Sequence, residues 1–323
     1  MKTALRGGRP PLFLFKGNTV RKVLITDEIE TCGIEEYLGG KFEITRFYGH
    51  SHADICLTLQ EGYDALIVRT ETQVDEVMLD YGTKLKVVGR AGVGLDNINV
   101  KYAESKGITV FNTPEANTIS AAEHTMGMML ALCRHIPQAT GGTRQGRWER
   151  QRFMGIELNG KTLGIIGTGR VGGYVAKLAM AFGMKILGYD HHPRPNFIGE
   201  YTELDELLLH SNILTLHVPL NDSTKNILSW GQFPFMKTGV RIINCARGGL
   251  VDQEALLFYY DEGIVTGYAT DVFEDEPVIV KDHPFYSRRF ITCTPHIGAM
   301  TYEAQARVSR EICRKLITFF VSD

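Results

Sequence analysis

The chain has 323 residues, with 35 Lys and Arg against 37 Asp and Glu and a net charge of −2. At roughly 150 residues per domain that length suggests two domains, and so even a balance excludes a global basic field for nucleic acid or an anionic membrane. Any anionic ligand must therefore be met by local charge, and the 34 glycines, above the usual roughly 7%, need a physical reason. The six cysteines, at 32, 56, 133, 245, 293 and 313, form no C-x-x-C pair. This argues against a disulfide framework or a metal site and suggests a reducing, cytoplasmic setting. No apolar run approaches the 18 or so residues of a membrane span.

The first segment, through Lys22, is basic and carries no acid. Gly7-Gly8-Arg9-Pro10-Pro11 interrupts helix formation there, so residues 1–21 read as a poorly ordered tail, with a weak mitochondrial presequence as the alternative. Short β-branched runs then alternate with helical patterns, the signature of parallel α/β architecture. Strands are predicted at 23–25, 65–68, 85–88 and 108–111, with short helices at 74–79 and 100–106. Asn112-Thr113-Pro114 punctuates this unit, and a hinge is expected near Pro114. One long helix should then run from about Ser120 to Gln138, with Pro137 near its end.

A second α/β series starts at Thr162-Leu163-Gly164-Ile165-Ile166, with further strands expected at 185–189, 213–218, 240–245, 265–269 and 291–294. The last helix, about 301–320, carries Ala304, Val308, Ile312, Leu316 and Phe320 at i,i+4 spacing, an apolar stripe suited to packing on a sheet.

Gly167-Thr168-Gly169-Arg170-Val171-Gly172 follows the first strand of that second series and opens a predicted helix over 171–182. Such a G-x-G-x-x-G turn lets backbone approach a pyrophosphate closely and aims helix N–H groups at its charge. Asp190 lies 18 residues beyond Gly172, at the end of the next strand, where a carboxylate can accept bonds from ribose hydroxyls and would repel a 2′-phosphate. Together these predict dinucleotide binding and favour NAD over NADP, although His191, His192 and Arg194 stand beside Asp190. Because the fingerprint lies mid-chain, the nucleotide domain is read as an insertion, with a cleft between domains expected. The expected division is 22–115 with 300–323 for a substrate domain and 116–299 for the nucleotide domain.

Five further motifs follow in order: Arg90-Ala91-Gly92-Val93-Gly94-Leu95-Asp96-Asn97, Leu216-His217-Val218-Pro219-Leu220, Asn244-Cys245-Ala246-Arg247-Gly248-Gly249, Asp271 to Pro277, and Thr294-Pro295-His296-Ile297-Gly298. In this set the chain resembles the D-2-hydroxyacid dehydrogenase family from Lys22 onward. The resemblance implies a flavodoxin-like substrate domain split around a Rossmann-type domain, and homodimers, or homotetramers, built mainly through the nucleotide domains. It also implies NAD contacts at Gly167, Gly169, Arg170, Val171, Gly172 and Asp190, at His217, Pro219, Cys245 and Ala246, and at Asp271, His296 and Gly298. Asp271 would orient the nicotinamide carboxamide, although Thr270 stands where an apolar residue is more usual.

Oxidising a secondary alcohol requires a base for its hydroxyl proton, and an imidazole titrating near neutrality suits it. His296 fits this role, whereas His50, His52, His124, His210 and His283 lack such context. By resemblance Glu276 stabilises the imidazolium, with Glu274 as the alternative, and Arg247 binds the C2 oxygen and neighbouring carboxylate.

Ile136 to Thr140, Trp148-Glu149-Arg150 and Phe153 to Lys161 resemble the branch of that family that oxidises a phosphorylated glycerate. Such a substrate carries about −1.5 to −2 charge on its phosphate besides a carboxylate. The resemblance assigns it to Arg69, Arg90 and the backbone of Ala91, Gly92, Val93 and Gly94, with Arg134 reaching the phosphate from a neighbouring subunit or standing on a helix surface. Asn99 replaces a more common Asp, with little effect expected. Alternatives are a glycerate or hydroxypyruvate reductase and an NAD-sensing corepressor-like binding protein. Only 27 residues follow His296, so an appended regulatory domain and feedback by serine are not expected.

Overall fold

The computed structural model describes residues 20–322 apart from 30–33, 35–37, 39, 41 and 279. The expected tail thus lies outside the described residues except at its last two positions. Of those, Arg21 opens a strand, because its guanidinium bonds Asp64 at 3.0 Å and the N–H of Lys22 bonds the same carboxylate at 2.9 Å. The chain forms two compact units, Met1–Asn117 with Thr301–Asp323, and Thr118–Met300.

The first unit is built on five parallel strands: β1 (Arg21–Ile25), β2 (Phe42–Arg46), β3 (Ala65–Val68), β4 (Val87–Arg90) and β5 (Thr109–Phe111), in the order β2-β1-β3-β4-β5. Side chains of a strand alternate between faces, and helices cover both faces here, so β3 and β4 are buried throughout. Leu24, Leu66 and Val88 pack with Leu59 and Met78 on one face. On the other, Val23, Ile67 and Val87 pack with Val308, Ile312 and Leu316 of the helix Tyr302–Ser322, the stripe expected from its spacing. The edge strand β2 has no such signature, since only Phe42 of its five residues is buried.

The second unit is a seven-stranded parallel sheet of β6 (Thr162–Ile166), β7 (Lys185–Tyr189), β8 (Glu200–Tyr201), β9 (Ile213–Leu216), β10 (Val240–Asn244), β11 (Val265–Thr270) and β12 (Ile291–Cys293). Its order, β12-β11-β10-β9-β6-β7-β8, is the doubly wound dinucleotide-binding pattern with one added edge strand. The first unit has the flavodoxin-like order, so the fold is a Rossmann-type domain inserted within a flavodoxin-like one.

One predicted element divides in two. Instead of a single helix over 120–138, helices run over Thr118–Cys133 and Ile136–Arg144, separated by Arg134 and a left-handed His135 at φ 54°. A proline at 137 inside one continuous helix would lack an N–H and clash with the carbonyl of Cys133. Within the first turn of a new helix it is favourable.

Candidate active site

In a parallel sheet every loop after a strand emerges at the same carboxyl edge, and the order reverses here between β6 and β9, where such sheets bind ligands. The turn after β6 is shaped by its glycines. Gly167 adopts φ 96°, and a side chain there would lie 2.7 Å from the carbonyl carbon of His217. One at Gly172 would run into the carbonyl oxygen of Gly167. Gly169 differs, since a Cβ there would meet nothing within 4 Å. It caps the helix Arg170–Ala181, whose N-terminus has no side-chain cap, so the Arg170 and Val171 amides begin the helix beside open space. Such a turn could hold a pyrophosphate.

Asp190 follows β7. Its carboxylate accepts from the Thr168 N–H at 2.8 Å, the Thr168 hydroxyl at 3.1 Å and the His192 N–H at 2.9 Å. Burial opposes its ionisation, but these bonds outweigh that and hold its pKa below the ordinary value. It is anionic at neutral pH and retains acceptor capacity for a ribose hydroxyl. Across the switch point, His217 follows β9 and bonds Thr215 Oγ1 at 3.0 Å. The ring is surrounded by enough protein that burial pushes its pKa down to about 3, leaving it neutral. Pro219 lies further along the same loop.

The turn after β10 carries Cys245, Ala246 and Arg247. Buried Asn244 shapes it, accepting from the Ala246 N–H at 3.1 Å and donating to the Arg247 carbonyl at 2.8 Å. A side chain at Gly248 would collide with the backbone of Phe273 and Glu274, so glycine there lets this turn lie against the segment that leads to Glu276. Arg247 Nη1 donates to the Ala246 carbonyl at 2.7 Å. Burial of the Cys245 thiol, followed by the charge of Asp271, pushes its pKa up to about 12, which keeps it protonated.

Glu276 Oε2 lies 2.6 Å from His296 Nδ1, and each side chain is about one-third exposed. Burial raises the Glu276 pKa, yet the His296 contact, the Phe273 N–H at 2.8 Å and the charge of Arg247 together hold it below its ordinary value. The arrangement is a carboxylate orienting an imidazole whose other nitrogen remains for a substrate proton. His296 itself sits in the left-handed region at φ 54°.

Asp271 is 1% exposed and follows β11. Its carboxylate accepts from Thr294 Oγ1 at 2.6 Å, the Ile297 N–H at 2.8 Å and the Gly298 N–H at 2.7 Å, and lies 3.3 Å from His124 Nε2. These contacts turn it toward the loop that carries His296. His124, set aside in the sequence with histidines lacking context, thus belongs to this cluster. No local motif could signal a contact that spans 170 residues of chain. The Thr270 hydroxyl is fully buried, donates to the Val272 carbonyl at 2.6 Å and so serves the turn into Asp271.

In the first unit, Arg69 follows β3 and Arg90 ends β4, the strand beside it. Buried Asp27, after β1, accepts from the Arg69 N–H at 2.5 Å and the Thr72 hydroxyl at 2.5 Å. Buried Asn97 donates to the Arg69 and Thr72 carbonyls at 3.1 and 2.7 Å. Neither clamp has a signature in the sequence. Gly92 has φ 158°, and a side chain there would strike the Arg90 guanidinium, so within the Ala91–Gly94 segment the backbone at Gly92 lies close against that arginine. Asn99 caps the helix Val100–Ser105 through the Tyr102 N–H and donates to Glu76 at 3.3 Å, a bond an Asp could not make.

Arg134 stands in the break between the two helices, not on a helix face. It borders a shallow hollow of about 380 Å³ with Ile136, Thr140 and Arg144, which contains none of Arg247, Glu276 or His296. Among the described residues there is no group of three or more His, Cys, Asp or Glu able to hold a metal, and no helix is long and apolar enough to cross a membrane.

Residues 126–298 match the family model of the D-isomer specific 2-hydroxyacid dehydrogenase, NAD binding domain. The chain belongs to the D-isomer-specific 2-hydroxyacid dehydrogenase family. Within that family it is 41% identical to a D-3-phosphoglycerate dehydrogenase of Synechocystis, over 95% of this chain and 55% of that protein. It thus spans about half the length of the curated relatives it matches. A solved protein from Thermus thermophilus is 30% identical, with a TM-score of 0.86 over 92% of this chain and 96% of that one. A D-lactate dehydrogenase from Aquifex aeolicus, solved with NAD and lactic acid, is 28% identical, with a TM-score of 0.83 over 94% and 96%. The family therefore expected from the motifs is the one the chain belongs to, and the glycine turn and Asp190 fall within its NAD-binding domain.

Proposed function

We propose that the chain catalyses the NAD-dependent oxidation of 3-phospho-D-glycerate to 3-phosphohydroxypyruvate, the reaction that opens the phosphorylated route to serine. The observation that carries the reading is the 2.6 Å Glu276–His296 pair under the charge of Arg247, on the same sheet edge as the Gly167–Gly172 turn. Similarity to D-3-phosphoglycerate dehydrogenases supports the choice of substrate. Bound NAD supplies the acceptor for the hydride that leaves C2. His296 takes the C2 hydroxyl proton, and the anionic Glu276 favours the imidazolium that results. Arg247 holds the C2 oxygen and the adjacent carboxylate through its fork of donors.

Gly167, Gly169, Gly172 and the amides of Arg170 and Val171 receive the pyrophosphate, and Asp190 the adenosine ribose. The latter assignment selects NAD over NADP, because a carboxylate held ionised repels a 2′-phosphate. His217, Pro219, Cys245, Ala246 and Gly298 line the remaining cofactor contacts, with Asp271 behind them. In the first unit Arg69, Arg90 and the backbone of the Ala91–Gly94 loop contribute cations and amides for the two anionic ends of the substrate. Arg134 serves the phosphate of a neighbouring subunit in a cytoplasmic homodimer or homotetramer. Steady-state rates with phosphohydroxypyruvate and hydroxypyruvate, each with NADH, test the reading. A strong preference for the phosphorylated substrate is expected. A preference for hydroxypyruvate would make the chain a reductase of the same family, and absence of turnover with either would favour a binding protein.

A further inference from the structure

His296 carries a backbone conformation that non-glycine residues avoid, with φ 54°, and such a residue persists only where its surroundings over-determine it. Glu276 holds the His296 ring and the Thr294 carbonyl lies 3.1 Å from the His296 N–H, but the loop backbone from 296 to 298 is held mainly by Asp271. Its carbonyl accepts the His296 N–H at 2.8 Å, one carboxylate oxygen accepts the Ile297 N–H at 2.8 Å, and the other accepts the Gly298 N–H at 2.7 Å. Three successive amides of the loop thus converge on one residue. Gly298 is confined with them, since a Cβ there would lie 3.1 Å from Asp271 Oδ2 and 3.6 Å from the His124 ring.

A carboxylate that is 1% exposed needs strong partners to stay ionised. Burial raises the Asp271 pKa, but His124, Thr294 and the Ile297 N–H lower it further than burial raises it. The donor directions can be assigned. The Thr294 hydroxyl has one proton, and its 2.6 Å contact with Asp271 Oδ1 takes it. At 3.2 Å from that hydroxyl, His124 Nε2 must then be the donor, and the same nitrogen lies 3.3 Å from Oδ1. His124 projects from the helix Thr118–Cys133, one turn before Met128, whose sulfur lies 3.8 Å from Thr294 Oγ1. The loop that carries His296 is thereby tied to a buried helix through an Nε2–H, a hydroxyl and a carboxylate.

We propose that His124 is a positioning residue: its Nε2–H holds Thr294 and Asp271 so that the Asp271 carboxylate keeps the Ile297 and Gly298 amides, and hence His296, in place. The proposal rests on the reading of His296 as the group that moves the substrate proton. It also gives Asp271 work within the protein, apart from any contact with nicotinamide.

Two measurements on the full chain separate the proposal from that reading. In His124→Leu, deuterium exchange of the peptide spanning 294–299 should accelerate by about 10-fold or more, since buried hydrogen bonds set local opening. Turnover should fall by roughly 10- to 100-fold, the scale of a misplaced catalytic group, while the NADH dissociation constant stays within about threefold. His124→Gln, which offers an amide N–H near the Nε2 position, should restore both most of the way. Thr294→Val breaks the same relay from the other side and should reproduce the His124→Leu effects, non-additively in the double variant, which covers the case in which His124→Leu fails to fold. Unchanged exchange in His124→Leu or Thr294→Val overturns the proposal, as does faster exchange with undiminished turnover. If the wild-type chain turns over no 2-hydroxy acid, the reading of His296 fails, and the exchange arm still decides whether His124 holds the loop.

Discussion

Replacing Gly169 by alanine should separate ligand fit from protein fit, because the two effects differ in size there. Gly169 has φ −61° and ψ −155°, extended backbone at the margin of what other residues adopt, and a Cβ would meet no protein atom within 4 Å. The lower entropy of a stiffer unfolded chain and the cost of that marginal ψ oppose each other, so the unliganded protein should stay within about 1 kcal/mol of wild type. That bound corresponds to a Tm shift of no more than about 4 °C in either direction. If the open space receives a pyrophosphate, the same methyl intrudes on the ligand. Overpacking of that kind costs about 1–3 kcal/mol, or roughly 5- to 150-fold in the NADH dissociation constant. Gly172→Ala provides the contrast, since its methyl would meet the Gly167 carbonyl and should cost about 1–3 kcal/mol of stability before any ligand is added. Differential scanning fluorimetry of the unliganded variants, with NADH titrated by fluorescence, reads both quantities. A Gly169→Ala protein that binds NADH within twofold of wild type, or that loses more than about 1 kcal/mol unliganded, would refute the assignment.

Asp190→Ser should narrow the preference for NADH over NADPH by about 10-fold or more, because a like charge facing the 2′-phosphate is removed; equal use of the two cofactors by the wild type would contradict it. Thr270→Val should cost about 1–2 kcal/mol of unfolding free energy by stranding the Val272 carbonyl while leaving the NADH Michaelis constant unchanged. A denaturant titration checks the first part and initial rates the second. Asp190, Asp271 and Glu276 all have folded pKa values below their ordinary 3.8, 3.8 and 4.5. Their stabilisation is thus fully present above those ordinary values and is lost as pH falls through the lower folded values. His217 adds an earlier loss, because its folded pKa of about 3 lies below the ordinary 6.5 and the unfolded imidazole takes up a proton first. Unfolding free energy measured downward from pH 7 should therefore begin to decline near pH 6.5 and fall more steeply below about pH 5 as the carboxylates protonate; a flat profile down to about pH 5 would contradict the neutral burial of His217.

Much of the architecture was legible because its signals are local. The turn at Gly167–Gly172, the acid at Asp190 and the i,i+4 stripe from Ala304 to Phe320 each declare themselves within one or two elements. Strand β2 did not, since an edge strand with one buried residue has no apolar run to detect. Pro137 carried enough information to place a helix break, yet a periodicity running across it read as one helix. The Arg247, Glu276 and His296 motifs could be recognised, and the structure brings Glu276 and His296 into contact. The long-range contacts around the candidate site residues could not. Asp27 acts on Arg69 from 42 positions away and His124 reaches Thr294 across 170, distances at which only the folded chain makes neighbours. Glycine shows both sides of this: Gly248 reads as part of a motif, but its reason, the backbone of Phe273 and Glu274 lying against it, exists only in three dimensions.

In the proposed reaction His296, held by Glu276, moves the proton that accompanies hydride transfer. The most direct measurement is reduction of phosphohydroxypyruvate by NADH in His296→Ala beside the wild type, with NADH affinity measured on both proteins. Loss of about 10²- to 10⁴-fold in turnover with NADH binding nearly unchanged is the predicted result. Wild-type turnover in the variant would contradict it.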